Sequence, residues 1–191
     1  MSLEHLWAGW RSAYVGLFSD DAEERPGDET EAGAAQPGGL AQATGALDDE
    51  DCVFCTVLRA DGVSDRDRLV VWRSEHVVAM LNAYPYASGH LMVMPARHVR
   101  ELEELTEDEA GELWQGIRGA VAAVKRAYKP DGANLGLNLG RAAGAGIPGH
   151  LHVHVVPRWL GDTNFMTATA SVRVIPEALP ETWERVNSAW S

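Results

Sequence analysis

Three histidines stand at alternate positions within five residues, His150-Leu151-His152-Val153-His154, in a chain that has seven histidines in 191 residues. In an extended backbone side chains alternate between faces, so these imidazoles share one face while Leu151, Val153 and Val155 take the other. Successive rings are then expected about 6.5 to 7 Å apart. Such a row suits two chemistries. Two or three imidazoles that converge can hold zinc. A neutral imidazole near pH 7 can instead attack an electrophile and leave again, which is nucleophilic catalysis. The ordinary alternative, a half-exposed polar strand whose histidines meet water, fits poorly with so dense a cluster.

The residues before the row bear on that choice. Gly140, Gly144, Gly146 and Gly149 fall within ten residues. Glycine lets a backbone turn sharply and present amide hydrogens to an anion, so the loop suits phosphate. A glycine-rich loop alone is weak, since many such loops only connect strands. A second cluster is Cys52-Val53-Phe54-Cys55, which holds both cysteines of the chain. A closed zinc site needs four ligands, so histidines would have to complete it. The other readings are an unliganded thiol pair and a redox pair, the latter normally found in a βαβ context that the sequence lacks.

The elements that must position these groups are legible in outline. Leu69 to Arg73 and Val77 to Asn82 read as two strands with a turn at Ser74-Glu75, and His90 to Met94 as a third. Thr106 and Glu109 form a capping box, after which Ala110, Leu113, Trp114, Ile117, Val121 and Val124 mark one face of a long helix that Pro130-Asp131-Gly132 stops. Ala133 to Leu139 and His150 to Val156 read as two further strands. Trp183, Val186 and Trp190 are spaced for a short terminal helix behind Pro180. Strands on either side of one helix predict an α+β domain: an antiparallel sheet of about five strands, one long helix and a short C-terminal helix.

Charge is unevenly spread. The net charge is −12, but residues 19–51 hold eleven acids against one base, so the remainder carries 15 bases and 17 acids. Residues 19–51 contain no aromatic residue and are expected to be a disordered acidic segment. Leu3, Leu6, Trp7, Trp10, Tyr14 and Leu17 recur at helical spacing, so residues 1–18 are expected to be an amphipathic arm. The catalytic domain is placed at 52–165 and a C-terminal extension at 166–191. A near-neutral domain has no basic face for long nucleic acid. No apolar run reaches the length of a membrane span, and no secretory signal pattern is seen, so a cytoplasmic protein is expected.

The row matches the His-φ-His-φ-His-φ-φ signature (φ apolar) from His150 to Val156, and on it the chain resembles the histidine triad superfamily of nucleotide hydrolases and transferases. The resemblance extends from Cys52 to about Phe165 through Gly89-His90-Leu91-Met92-Val93-Met94-Pro95 and Arg97-His98-Val99. Leu81-Asn82-Ala83-Tyr84-Pro85-Tyr86, Asn138-Leu139-Gly140-Arg141-Ala142-Ala143-Gly144 and Pro157-Arg158-Trp159 are most similar to the actinobacterial diadenosine tetraphosphate phosphorylases. The resemblance implies that His152 attacks the α-phosphorus of a nucleotide and that His154 donates to a phosphate oxygen. It further implies that the backbone of His150 orients the ring of His152.

It assigns Asn82 to the ribose, Asn138 and the Gly144-Ala145-Gly146 loop to phosphate, and His90 to the wall beside the triad. Trp159 is the candidate for stacking on a base. Cys52, Cys55, His98 and His150 are implied as structural zinc ligands, with no organic cofactor. A nucleotide substrate, inorganic phosphate and a homodimer or higher homo-oligomer are the implied partners. Many hydrolase members carry Gln or Ser before the first histidine, where this chain has Ala145-Gly146-Ile147-Pro148. The resemblance implies cleavage of diadenosine polyphosphates with phosphate as the preferred second acceptor, giving a nucleoside diphosphate; hydrolysis to a monophosphate is the alternative, and a nucleotide-binding module without turnover a further one.

Overall fold

The computed structural model describes residues 52–162 and 177–190. The expected arm at 1–18, the acidic segment at 19–51 and the first part of the C-terminal extension lie outside them. The described residues all belong to one unit, residues 43–191.

Five strands form one antiparallel sheet: β1 (Val70–Arg73), β2 (Val77–Leu81), β3 (Leu91–Pro95), β4 (Gly132–Leu137) and β5 (Val153–Arg158), in the spatial order β1-β2-β3-β5-β4. Among the described residues three α-helices accompany it: α1 (Val53–Arg59), the long α2 (Glu107–Tyr128) and the terminal α3 (Leu179–Ala189). The α+β reading holds. The fifth strand begins three residues later than the sequence suggests. Leu151 N–H donates to the carbonyl of Val99 at 2.6 Å, and the ladder proper starts only at Val153. Two strand edges differ similarly, because Asn82 and His90 pair as the closing residues of a turn, Asn82 N–H to His90 O at 2.9 Å. Helix α1 is missing from the sequence reading, since seven residues are too short to establish a helical period.

The two sheet faces bury different groups. Val77, Ala79, Leu81, Leu91, Val93, Leu151, Val153 and Val155 pack beneath α2 and α3. Val78, Met80, Met92 and Met94 point the other way and pack with Cys52, Phe54 and Cys55. This second face carries the triad, because Leu151 and Val153 are committed to the first.

Helix α2 begins as expected. Thr106 Oγ1 accepts from Glu109 N–H at 3.2 Å and Glu109 Oε2 accepts from Thr106 N–H at 2.9 Å, so two orphan amides are satisfied reciprocally. Its buried face, however, runs through Leu113, Gly116, Ile117, Ala120, Ala123 and Val124. Ala110 and Trp114 do not belong to it, and Trp114 is 60% exposed. The sequence reading weighted size, whereas close approach of helix to sheet selects small residues. A Cβ at Gly116 would lie 3.0 Å from Val93 Cγ1 and 3.2 Å from Trp72.

Glu109 is buried, and Arg97 donates to both its oxygens at 2.8 and 2.9 Å. The Arg97 hydrogen bonds, with those from Thr106, hold its pKa down from 4.5 to about 2 against the opposing cost of burial. A depressed carboxylate pKa contributes stability that is complete above the unfolded value and is lost as pH falls through the folded value. The Tm advantage of the wild type over Glu109→Gln is therefore expected to shrink as pH is lowered from about 4.5 to about 2. Thermal denaturation across that range checks it, and a constant difference contradicts it.

Helix α3 seals the β1 edge. Trp183 Nε1–H donates to Val70 O at 2.8 Å, Asn187 Nδ2–H donates to Val71 O at 3.2 Å, and Trp190 stacks on Trp72 at 5.5 Å between ring centroids. No helix among the described residues is long and apolar enough to cross a membrane.

Candidate active site

His152 is 5% exposed, and its Nδ1–H donates to the carbonyl of His150 at 2.7 Å. That bond fixes the tautomer, leaving the Nε2 lone pair unprotonated and available. Burial lowers the His152 pKa, outweighing the backbone hydrogen bond that raises it. The neutral, nucleophilic form therefore prevails at pH 7. The ring is confined on two sides: His154 at 5.0 Å between centroids with an 81° interplanar angle, and Phe54 at 5.2 Å and 64°. The His152–His154 separation is shorter than strand spacing alone suggests, because the rings lean together.

A directed chain of hydrogen bonds sets His154. Tyr86 N–H donates to His90 Nδ1 at 3.1 Å, which makes that nitrogen the acceptor and leaves the proton on Nε2. His90 Nε2–H then donates to His154 Nδ1 at 3.0 Å, so His154 carries its own proton on Nε2. Burial, followed by the proximity of His152, pushes the His154 pKa down to about 4. His154 is thus a neutral donor whose N–H points away from its support. Tyr86 closes the group, its ring 4.6 Å from His90 and 5.9 Å from His154.

The nominated polar residues divide. Asn82 lies against His90, with Nδ2 3.4 Å from His90 Nδ1, while its Oδ1 accepts from Tyr84 N–H at 2.9 Å. Asn138 comes one residue beyond the last β4–β5 pair, Leu137 with Val153, and so reaches the level of His152. Gly136 stands opposite His154, where the absence of a side chain keeps the face open. The loop after Asn138 makes a short 3-10 turn, Arg141–Ala143, between Gly140 at φ 71° and Gly144 at φ 83°. These left-handed conformations require glycine. Ala145 is buried and Ile147 packs on the triad-side cluster, anchoring the loop over that face. Apart from its own chain neighbours, no atom of the described residues comes within 4 Å of a Cβ built at Gly140, Gly144 or Gly146, so the loop is open at these positions.

Trp159 is not brought to this group within one chain. It follows the far end of β5, seven residues from His152 or about 23 Å of extended chain. It packs edge-on against Tyr128 at the end of α2, 6.3 Å between centroids. Conversely, Phe54 and Tyr86 contact the triad rings although sequence reasoning gave them no role. Phe54 sits between the two cysteines, which is the signal that could have found it.

Cys52, Cys55, His98 and His150 converge, with one ligand atom from each lying within 4.8 Å of all the others. Cys52 Sγ is 3.4 Å and Cys55 Sγ 3.5 Å from His150 Nδ1, and Cys55 Sγ is 3.3 Å from His98 Nδ1. Tetrahedral zinc bound at about 2.3 Å to sulfur and about 2.0 Å to nitrogen separates such donors by about 3.5 Å, so the set fits. The tautomer fits too. His150 Nε2–H donates to Pro95 O at 2.9 Å, which turns the Nδ1 lone pair toward the thiols and supplies the outer-shell partner such ligands need.

Comparison with known proteins agrees with this geometry. The family model described as HIT domain matches residues 64–159. A Mycobacterium tuberculosis protein named AP-4-A phosphorylase is 48% identical over 129 residues, which is 68% of this chain and 66% of that protein, just under two thirds of its length. The structure of a zinc-bound histidine triad family protein from Mycobacterium smegmatis aligns with a TM-score of 0.60 at 25% identity, covering 75% of this chain and 95% of that one. A hypothetical histidine triad nucleotide-binding protein of Sulfolobus tokodaii aligns with a TM-score of 0.59 at 31% identity, covering 72% and 91%.

Proposed function

This chain belongs to the HIT domain family, and from that premise we propose that it is a phosphorylase of diadenosine polyphosphates acting through a nucleotidyl-His152 intermediate. The observation that carries the reading is the single hydrogen bond from His152 Nδ1–H to the His150 carbonyl at 2.7 Å, which leaves Nε2 as a free nucleophile. In the first step Nε2 attacks the α-phosphorus of diadenosine tetraphosphate; the new N–P bond forms as the bond to the bridging oxygen breaks, and ATP leaves. In the second step an oxygen of inorganic phosphate attacks the same phosphorus, the N–P bond breaks, and ADP is released with His152 restored. His154 Nε2–H donates to a non-bridging oxygen, where charge builds in both steps. Backbone amides of Gly144, Ala145 and Gly146, with Asn138, hold the phosphates, while Asn82 rotates from His90 to meet the ribose.

The identity to the Mycobacterium tuberculosis AP-4-A phosphorylase supports phosphate as the second acceptor. Product analysis in phosphate-free and phosphate-containing buffer tests it. ADP that forms only with phosphate is the expected result; AMP in both buffers overturns phosphorolysis in favour of hydrolysis, and no turnover in either leaves a nucleotide-binding module.

Zinc is proposed as a resident ion held by Cys52, Cys55, His98 and His150, supported by the donor spacing and by the zinc-bound Mycobacterium smegmatis neighbour. Four protein ligands close the coordination sphere, so the ion's contribution is structural. A homodimer is proposed through α2 and the edge strand β4. Trp114 at 60% and Leu135 at 50% exposure are large apolar groups there that association would cover.

A further inference from the structure

Phe54 contacts both halves of the site, and neither the triad nor the metal set includes it. Its side chain is 4% exposed. It meets the His150 ring edge-on at 5.5 Å and 85°, and the His152 ring at 5.2 Å and 64°. It belongs to the buried cluster of Val78, Met80, Met92 and Met94, against which Ile147 of the glycine-rich loop packs. Its place is set by α1, whose flanking Cys52 and Cys55 sulfurs face His150 Nδ1.

The hydrogen bond to the His150 carbonyl fixes one atom of the nucleophile. One hydrogen bond leaves the ring free to swing about that contact, and an in-line attack requires Nε2 to hold one direction to within roughly 10 to 20°. His154 limits the swing on one side. Phe54, at 5.2 Å, limits it as well, and it is the larger and less exposed of the two walls.

We propose that Phe54 is a positioning residue for the nucleophile: a wedge, placed by the cysteine-bearing helix, that holds His152 Nε2 in its line of attack. The proposal rests on His152 being the nucleophile. It goes beyond the assignment of the triad and the metal ligands, since Phe54 touches neither phosphate nor metal in that reading.

The test compares Phe54→Leu, Phe54→Met and Phe54→Ala in the full chain, measuring kcat and KM for diadenosine tetraphosphate, zinc per chain, Tm, and the nitrogen-15 spectrum of the His152 ring. Phe54→Ala is expected to lower kcat about tenfold with KM changed less than twofold, and to split the His152 signals between two tautomers. Phe54→Leu and Phe54→Met, which refill the space, are expected to recover most of kcat and the single tautomer, with zinc bound in every variant. Should Phe54→Ala fail to fold, Phe54→Val serves as the truncation, with the same loss of kcat and the same split of the His152 signals expected. Unchanged kcat in the folded truncation overturns it. A loss of kcat with an unaltered His152 spectrum and a parallel fall in Tm also overturns it, since that is a core defect only. Retained turnover in His152→Asn, run alongside, would instead overturn the nucleophile assignment and the wedge with it.

Discussion

His152→Asn is expected to lower turnover by at least about 10⁴-fold with KM for the dinucleotide changed only a few-fold, because the substitution removes the attacking atom and little of the binding surface. Asparagine is close to imidazole in size at Nδ1 and can still donate to the His150 carbonyl. The packing of Phe54 and His154 around it should therefore survive. What it lacks is a basic nitrogen at the Nε2 position. His154→Asn is expected to be less severe, about 10²- to 10³-fold, since it removes one donor to a developing charge while the nucleophile remains. The order of the two effects matters. If His154→Asn were the more damaging, the donor and nucleophile assignments would have to be exchanged. Steady-state kinetics of both variants, with thermal unfolding to show that each is folded, decides it.

The second large effect concerns the metal set. Replacing Cys52 and Cys55 together by serine is expected to abolish zinc binding and to destabilise the fold by about 3 kcal/mol or more, roughly 6 to 12 °C in Tm for a chain of this size. Both thiols are buried, together with His150, so loss of the ion leaves polar groups facing one another without their common partner. The His150 ring would then lose its two thiol partners, while its bond to Pro95 O remains. Because the carbonyl of the same residue anchors the nucleophile, activity should fall as well, but the direct readouts are metal content and Tm. Zinc still present at one per chain in the double variant would remove Cys52 and Cys55 from the ligand set. A Tm unchanged on metal removal would contradict a structural role.

The sheet, the long helix and its cap, and the terminal helix are all legible in the sequence, because each rests on a repeating local signal. Thr106 and Glu109 announce the start of α2 through chemistry confined to four residues. The choice of buried face was less secure, since Trp114 looks like core in one dimension while Gly116 and Ala120 do not. Only the closeness of helix to sheet, a tertiary fact, reverses that weighting. The triad was visible from alternation alone, yet its first two histidines lie outside the ladder: Leu151 pairs with Val99, a partner 52 residues away that no local pattern reveals.

Site residues followed the same division. His90 meets His154 and Asn82 meets His90, while β4–β5 register brings Asn138 level with His152, and register follows from the alternation that the sequence displays. Trp159 adjoins the signature in sequence but diverges in space, because seven residues of extended chain span a large part of the domain. Phe54 escaped notice for the opposite reason. Its significance depends on α1 folding back across nearly a hundred residues onto His150, and a seven-residue helix leaves too little periodicity to anticipate.

The account depends on a covalent bond between His152 Nε2 and phosphorus, and intact mass after rapid mixing with diadenosine tetraphosphate in phosphate-free buffer tests it most directly. An alkaline denaturing quench is needed, because acid hydrolyses a phosphoramidate. The account predicts that the protein gains the mass of one adenylyl group, that peptide mapping locates it on His152, and that adding phosphate before the quench discharges it as ADP. A wild-type enzyme that turns over substrate when phosphate is supplied yet never carries the group without it, or a His152→Asn variant that carries the group equally, would contradict the mechanism.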